Sequence, residues 1–244
     1  LRRQVEVNLA LKEPEEAIRS GYVYDEWSQD DHDYLPAHCL VQQLTADPDL
    51  TGRFPAHLAE QARKTRRIFE WLKPELVRKE KYLEQGEAIN PDLLVRFLVD
   101  RRREPSPPVR FYEKPRTQER DLGTLILMDV SGSTGEEHRE KPIIEIEKES
   151  VLILGEALAS LGDRFAICGF SGQGRENCEF FVYKDFAEGW DENTIGGLLS
   201  ATPRSSTRIG PALRHAGYLL SRESSRQRLI LLVTDGRPMD SGYD

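Results

Sequence analysis

Five oxygen-bearing side chains stand where an apolar run ends or a helical pattern begins. They are Asp129, Ser131, Ser133, Thr207 and Asp235. The first three follow the apolar run 124–128, and the last follows the mostly apolar run 229–234. Carboxylates and hydroxyls, with no nitrogen or sulfur among them, suit a hard divalent cation such as Mg²⁺. We therefore predict that these residues form one site for Mg²⁺ or for another divalent cation such as Ca²⁺ or Mn²⁺.

Residues 124–244 alternate between strand and helix patterns, which indicates how the five side chains are positioned. The predicted strands are 124–128, 164–170, 179–183 and 229–234, and the predicted helices are 146–161 and 209–220. This order is typical of an α/β domain with a mostly parallel sheet and helices on both faces. Ligand sites in such sheets lie at the carboxyl ends of the strands. Taken singly, each motif also fits a helix cap or a turn, but their joint order favours a site.

The first half of the sequence follows a different pattern. Amphipathic spacing predicts a helix over 58–82, interrupted at Pro74, and a second helix that starts at Pro91 with Asn90 as its N-cap. The prolines at 105–108 predict an extended linker. We therefore predict a smaller, mainly helical region with a basic linker over 1–115, followed by the α/β domain over 116–244. The basic segment 96–120 is either a solvated linker or a docking surface for an acidic partner.

Composition excludes several classes of function. The net charge is −8, and residues 121–244 contain 20 acidic against 13 basic side chains, which disfavours nucleic-acid binding. No apolar run is long enough to span a membrane. Three cysteines without a Cys-x-x-Cys pair fit a reducing cytoplasm and no structural zinc site, and the spacing of His32, Asp33, His38 and Cys39 matches no zinc pattern. Ser131 has no His–Asp partners in a triad order, so we predict that the protein is not an enzyme.

The motif Asp-x-Ser-x-Ser, a later Thr before a helix and a late Thr-Asp-Gly resemble the metal-ion-dependent adhesion site of von Willebrand factor A (VWA) domains. The resemblance implies a Rossmann-like fold. It also implies that Ser131 and Ser133 bind the metal directly, and that Thr207 does so directly or through a water. Asp129 and Asp235 would act largely through waters. The sixth coordination position would stay open for a carboxylate from a partner.

A more specific resemblance extends over about residues 60–244. Segments such as 161–166, 169–171, 184–186 and 206–215 are similar to a bacterial branch that includes the NorD and CbbO activation proteins. That branch implies a cytoplasmic adaptor that links a hexameric MoxR-type AAA+ ATPase to a client metalloenzyme. The client, of the nitric oxide reductase or Rubisco type, would offer an acidic residue to the metal. A stand-alone metal-dependent scaffold without an ATPase is the alternative. The branch often has Glu between its two metal-binding serines, where this chain has Gly132.

Two expectations follow from the resemblance. In VWA domains the strand 229–234 is central, so a further strand is expected beyond Asp244, and the C-terminal part of the domain is expected to be missing from the sequence. Substitution of Asp129 by Ala is expected to abolish partner coupling and to leave the fold largely intact, because the carboxylate faces the site.

Overall fold

The computed structural model describes residues 15–17, 21–28, 30–47, 49–71, 77–102, 106–117, 121–138, 141–236 and 239–241. The strands are β1 (Glu15–Ala17), β2 (Gly21–Ser28), β3 (Asp33–Thr45), β4 (Val77–Leu83), β5 (Ala88–Ile89), β6 (Tyr112–Thr117), β7 (Leu122–Asp129), β8 (Glu137–His138), β9 (Lys141–Pro142), β10 (Arg164–Gly172), β11 (Cys178–Lys184) and β12 (Gln227–Val233). The α-helices are α1 (Ala59–Trp71), α2 (Pro91–Asp100), α3 (Ile143–Leu161), α4 (Glu192–Leu199) and α5 (Ile209–Ser221). Short 3₁₀ turns lie at Ala56–Leu58 and Gly132–Gly135.

The described residues divide into two compact units, one from Leu1–Glu70 with Asp121–Asp244 and one from Trp71–Arg120. In the first unit, the strand order of the main sheet is β1-β2-β3-β11-β10-β7-β12. Strand β7 lies between β10 and β12 and runs parallel to both. Strand β11 is antiparallel to β10, and β3 is parallel to β11. Because β7, β10 and β12 are parallel, their carboxyl ends lie on the same side of the sheet.

The two faces of the central strand β7 are covered by different helices. Ile126 and Met128 belong to the core that α3 and α4 cover, whereas Leu125 and Leu127 belong to the core that α5 covers. This alternation follows from the two-residue period of a strand. Full burial of each such side chain contributes about 1.5–3 kcal/mol relative to exposure. The predicted α/β class, with helices on both faces of a mostly parallel sheet, is confirmed.

The mainly helical region predicted over 1–115 needs correction. Strands β2 and β3 form a hairpin that extends the main sheet by pairing with β11. Tyr24, Cys39 and Val41 of this hairpin are buried in the core beneath α5. The long-range pairing with β11 decides the structure of this segment, and no local pattern shows that pairing. Helix α1 lies within the predicted helix 58–82, but 77–83 is strand β4, and Pro74 lies outside the described residues.

Helix α4 was not predicted, because two glycines weaken its helical pattern. Its N-terminus is a capping box in which the side chain of Asp191 accepts hydrogen bonds from the amides of Asn193 and Thr194. Gly196 is needed for packing, since a Cβ there would lie 2.6 Å from the carbonyl oxygen of Leu50.

In the second unit, β6 lies between β4 and β5 and is antiparallel to both. Helix α2 starts at Pro91, as predicted. Asn90 Oδ1 accepts hydrogen bonds from the amides of Asp92 at 3.1 Å and Leu93 at 3.2 Å. Asn90 Nδ2 donates to Glu113 Oε2 at 2.9 Å, which ties this cap to β6.

Strand β12 is an edge of the main sheet among the described residues, where it pairs only with β7. Leu229 and Leu232 on this strand are each 38% exposed. The strand expected on its other side is not among the residues that the structure describes.

Candidate metal centre

Asp129 is the last residue of β7 and is fully buried. Its Oδ1 accepts a hydrogen bond from the amide of Ser131 at 2.9 Å, and its Oδ2 accepts one from the hydroxyl of Thr234 at 3.0 Å. Each carboxylate oxygen therefore already has one protein partner and keeps one further acceptor position. The carboxylate orients the loop after β7 and joins it to the end of β12.

The two serines of the motif lie next to each other. Ser131 Oγ and Ser133 Oγ are 3.1 Å apart, within hydrogen-bond distance. The 3₁₀ turn Gly132–Gly135 brings them together, and Thr134 Oγ1 holds its start by donating to the carbonyl oxygen of Ser131 at 2.6 Å. Ser131 is buried and Ser133 is exposed, so this pair of oxygens lies between the protein interior and solvent.

The loop before Thr207 packs through backbone hydrogen bonds on the turn Gly132–Gly135, which we call the serine turn. The amide of Gly132 donates to the carbonyl oxygen of Ser205 at 2.6 Å, and the amide of Arg204 donates to that of Val130 at 2.7 Å. A Cβ on Gly132 would lie 2.9 Å from the carbonyl oxygen of Arg204 and 3.1 Å from that of Ser205. Glycine therefore permits the close approach of the two loops. Thr207 itself is buried, and its amide donates to the carbonyl oxygen of Met239 at 3.0 Å.

Asp235 follows Thr234 and is exposed. Burial, opposed by hydrogen bonds from Ser131 and Thr234, raises the pKa of Asp129, and the negative charge of Asp235 raises it further. The structure thus connects Asp129, Ser131 and Ser133 by hydrogen bonds. It places the loops of Thr207 and Asp235 at the same edge of the sheet.

Glu147 on α3 is a residue of this region that the sequence did not indicate. Burial, followed by the charges of Asp129 and Asp235, raises its pKa to about 8. The signal that the sequence offered was an acidic residue on the face of α3 that packs against the core. On that face, Ile144, Val151 and Leu158 are apolar members.

Arg208, directly after Thr207, was also missed. The residue is 2% exposed, and its guanidinium donates two hydrogen bonds to Glu26, Nε to Oε1 at 2.9 Å and Nη2 to Oε2 at 2.6 Å. Its Nη1 donates to Asp240 Oδ2 at 2.6 Å, and Asp240 also accepts from the amide of Gly174 at 3.0 Å. These contacts tie the start of α5 to β2 and to the segment after Asp235. Glu26 lies 182 residues from Arg208 in the sequence, so no local pattern connects them.

No group of three or more His, Cys, Asp or Glu side chains within the described ranges is arranged to hold a metal ion. A site in which hydroxyls are the direct ligands has no such group, because it contains too few carboxylates.

A family model of the von Willebrand factor type A domain matches residues 124–237, which include all five predicted site residues. Residues 124–237 are therefore a VWA domain, as the fold of β7, β10 and β12 with their covering helices also indicates. An uncharacterized protein of Pseudomonas aeruginosa is 35% identical over 221 residues, which are 90% of this chain and 36% of that protein.

Two further relatives have the name NorD. Protein NorD of Brucella abortus is 33% identical over 91% of this chain and 35% of its own length. Protein NorD of Stutzerimonas stutzeri is 34% identical over 76% of this chain and 30% of its own length. This chain contains a VWA domain and is similar over most of its length to proteins named NorD, and it spans about a third of the length of these curated relatives.

Among the helices in the described part of the chain, none combines the length and apolar character that a membrane crossing requires.

Proposed function

We propose that this protein binds a Mg²⁺-type divalent cation through Asp129, Ser131, Ser133, Thr207 and Asp235, and binds a partner protein through that cation. The observation that carries the proposal is the 3.1 Å separation of the Ser131 and Ser133 hydroxyl oxygens at the end of β7, beside the buried carboxylate of Asp129. The donor set contains only oxygen, which suits Mg²⁺, Mn²⁺ or Ca²⁺.

The hydrogen bonds of the site support a division of roles. Both oxygens of Asp129 already accept hydrogen bonds from the protein, so this carboxylate would orient the loop and reach the cation through water. Ser131 and Ser133 would be direct ligands. Because hydroxyls are neutral, a cation held by them keeps most of its charge and attracts a carboxylate from outside the chain. An acidic side chain of a partner would complete the coordination.

The wider role that we propose is a non-catalytic, cytoplasmic adaptor. It links a hexameric MoxR-type AAA+ ATPase to a client metalloenzyme, of the nitric oxide reductase or Rubisco type, for activation or maturation. The similarity to the NorD proteins supports this role, and the acidic VWA half is compatible with cation binding. Since the chain spans about a third of those relatives, the activity and partners of the whole protein belong to the proposal. A stand-alone, metal-dependent scaffold is the competing role.

Calorimetric titration of the purified protein with Mg²⁺ and Mn²⁺ tests the cation site. Asp129→Asn keeps the size of the side chain and removes its charge, so we expect affinity to fall about 10-fold or more. The earlier expectation for Asp129→Ala changes with the structure. Alanine would leave the Ser131 amide and the Thr234 hydroxyl without their acceptor, at a cost of about 1–3 kcal/mol in stability for each.

Co-purification followed by mass spectrometry tests the adaptor role. We expect a MoxR-type ATPase and one metalloenzyme to co-purify in Mg²⁺ and to be lost in a chelator or with Asp129→Asn. Recovery of the metalloenzyme alone would favour the scaffold. If the ATPase and the metalloenzyme co-purify equally well in the chelator and with Asp129→Asn, the contact is not bridged by a cation.

A further inference from the structure

Helix α3 places an acid on the side that packs against the sheet. The buried residues of this helix are Ile144, Glu147, Lys148, Val151, Leu152, Gly155, Ala157 and Leu158. Lys148, the other charged member, has partners elsewhere. Its Nζ donates to Glu145 Oε1 at 2.8 Å and to the carbonyl oxygen of Leu199 at 2.9 Å. Lys148 therefore does not compensate the charge of Glu147.

Glu147 has no compensation of its own among the described residues. It is 5% exposed, and its Oε2 has no hydrogen-bond partner there. The charges that act on it are those of Asp129 and Asp235, which are both repulsive and both belong to the predicted cation site. A buried carboxylate that has one unpartnered oxygen and two like charges acting on it is costly in free energy. A buried polar atom of this kind calls for a partner other than the described residues, such as a water or an ion.

The packing of α3 agrees with this location. The helix contacts the serine turn Gly132–Gly135 and strand β7, which ends at Asp129. Glu147, Asp129 and Asp235 are nevertheless not arranged as a group of direct metal ligands. Mg²⁺ keeps several of its waters in proteins, and those waters need hydrogen-bond acceptors. An unpartnered carboxylate oxygen near the site is such an acceptor.

We propose that Glu147 is a positioning residue of the cation site, which accepts a hydrogen bond from a cation-bound water and adds a third negative charge to the site. This inference rests on the cation binding proposed above. A positioning role can be distinguished from a structural one. Replacing a positioning residue of this kind weakens cation affinity but does not lower the stability of the metal-free protein, whereas replacing a structural residue lowers that stability.

The test compares Glu147→Gln with Glu145→Gln, a matched control on the same helix whose carboxylate is exposed and paired with Lys148. Mn²⁺ and Mg²⁺ affinities are measured by calorimetry, and urea midpoints are measured on metal-free protein in a chelator. We expect Glu147→Gln to weaken cation affinity about 10-fold. Its metal-free urea midpoint should be at least as high as that of the parent, because the amide replaces a buried acid whose raised pKa of about 8 shows that its usual charged form is unfavourable in the folded protein. Glu145→Gln should leave the affinity unchanged.

Three outcomes would contradict the inference, and only the third would also contradict the cation site. If the parent binds the cation and Glu147→Gln binds it equally well, the inference is wrong and the cation site stands. If Glu147→Gln lowers the metal-free urea midpoint, Glu147 has a structural role and the inference is again wrong. If the parent binds neither Mn²⁺ nor Mg²⁺, the proposed cation site fails and the inference fails with it.

Discussion

The hydroxyl of Thr234 donates a hydrogen bond of 3.0 Å to Oδ2 of Asp129, and it joins the end of β12 to the end of β7. The same hydroxyl accepts a hydrogen bond from the amide of Gly236 at 3.3 Å. Thr234 and Gly236 flank Asp235, so these two hydrogen bonds fix the position of the Asp235 backbone with respect to the carboxylate of Asp129. Two aspartates that are 106 positions apart in the sequence are oriented through a single threonine side chain.

Thr234→Val is therefore expected to weaken cation binding without disrupting the fold. Valine has nearly the same shape and lacks the hydroxyl, so Asp129 Oδ2 loses its donor and the loop containing Asp235 loses its anchor. We expect about a 10-fold loss of Mg²⁺ or Mn²⁺ affinity by calorimetry. The loss of stability should be about 1 kcal/mol in urea denaturation.

Thr124→Val is the matched control, because Thr124 is buried on the same strand as Asp129 and its Oγ1 has no hydrogen-bond partner among the residues that the structure describes. Removing an unpartnered buried hydroxyl should leave stability unchanged or raise it, and should not affect the cation. Equal loss of affinity in the two variants would mean that the Thr234 hydroxyl does not orient the site.

A second prediction concerns Gly132, where a Cβ would lie 2.9 Å from the carbonyl oxygen of Arg204. Gly132→Ala should push the loop before Thr207 away from the serine turn, because both contacts of the new methyl group are to backbone. We expect a loss of about 1–3 kcal/mol in stability, together with weaker cation binding. Gly135→Ala, in the same turn, adds a Cβ that meets only the Pro203 ring at 3.4 Å and should change neither quantity. Similar behaviour of the two variants would contradict the role assigned to the close loop approach.

The contrast between the serine motif and the β2–β3 hairpin shows what the sequence determines locally. Asp129, Ser131 and Ser133 are neighbours in the chain at the end of an apolar run, so both the strand and the donor set can be predicted from residues 124–133 alone. In β2, by contrast, Glu26 is buried because it pairs with Arg208, which lies 182 residues away. A buried acid breaks the alternation by which a strand is recognised, and its partner is visible only in three dimensions. For the same reason, the sequence shows an acidic residue at position 147 but does not show that the charges of Asp129 and Asp235 act on it.

The third prediction concerns the buried ion pairs of Arg208 with Glu26 and Asp240. Arg208→Met should cost about 3–5 kcal/mol, because it leaves two buried carboxylates without a cation. The control is Arg53→Met, which removes a pair with Glu192 whose side chains are 90% and 65% exposed. That change should cost less than about 1 kcal/mol. Urea denaturation measures both, and similar costs would show that the Arg208 contacts are not maintained in solution.

The last prediction is a pH dependence of stability that comes from His215 on α5. The ring is fully buried and lies between Tyr24, whose hydroxyl is 2.7 Å from Nδ1, and Gln43, whose Oε1 is 2.9 Å from Nε2. A neutral ring with its proton on Nε2 satisfies both contacts, since Nε2 then donates to Gln43 and Nδ1 accepts from Tyr24. Burial lowers the pKa of His215 from 6.5 to about 4.

Because the folded protein has the lower pKa, the unfolded chain binds more protons between pH 4 and 6.5. The contribution of His215 to stability is therefore complete above pH 6.5 and is lost as the pH falls through 4. By pH 4.5 the loss should be about 2–3 kcal/mol. The raised pKa values of Glu147 and Asp129 act in the opposite direction, so the quantity to measure is the difference between the parent and His215→Gln. Urea denaturation from pH 4.5 to 7 should show this difference shrinking as the pH falls through the range set by the lowered pKa of His215. A difference between the parent and His215→Gln that is independent of pH would mean that His215 is not held neutral in the core.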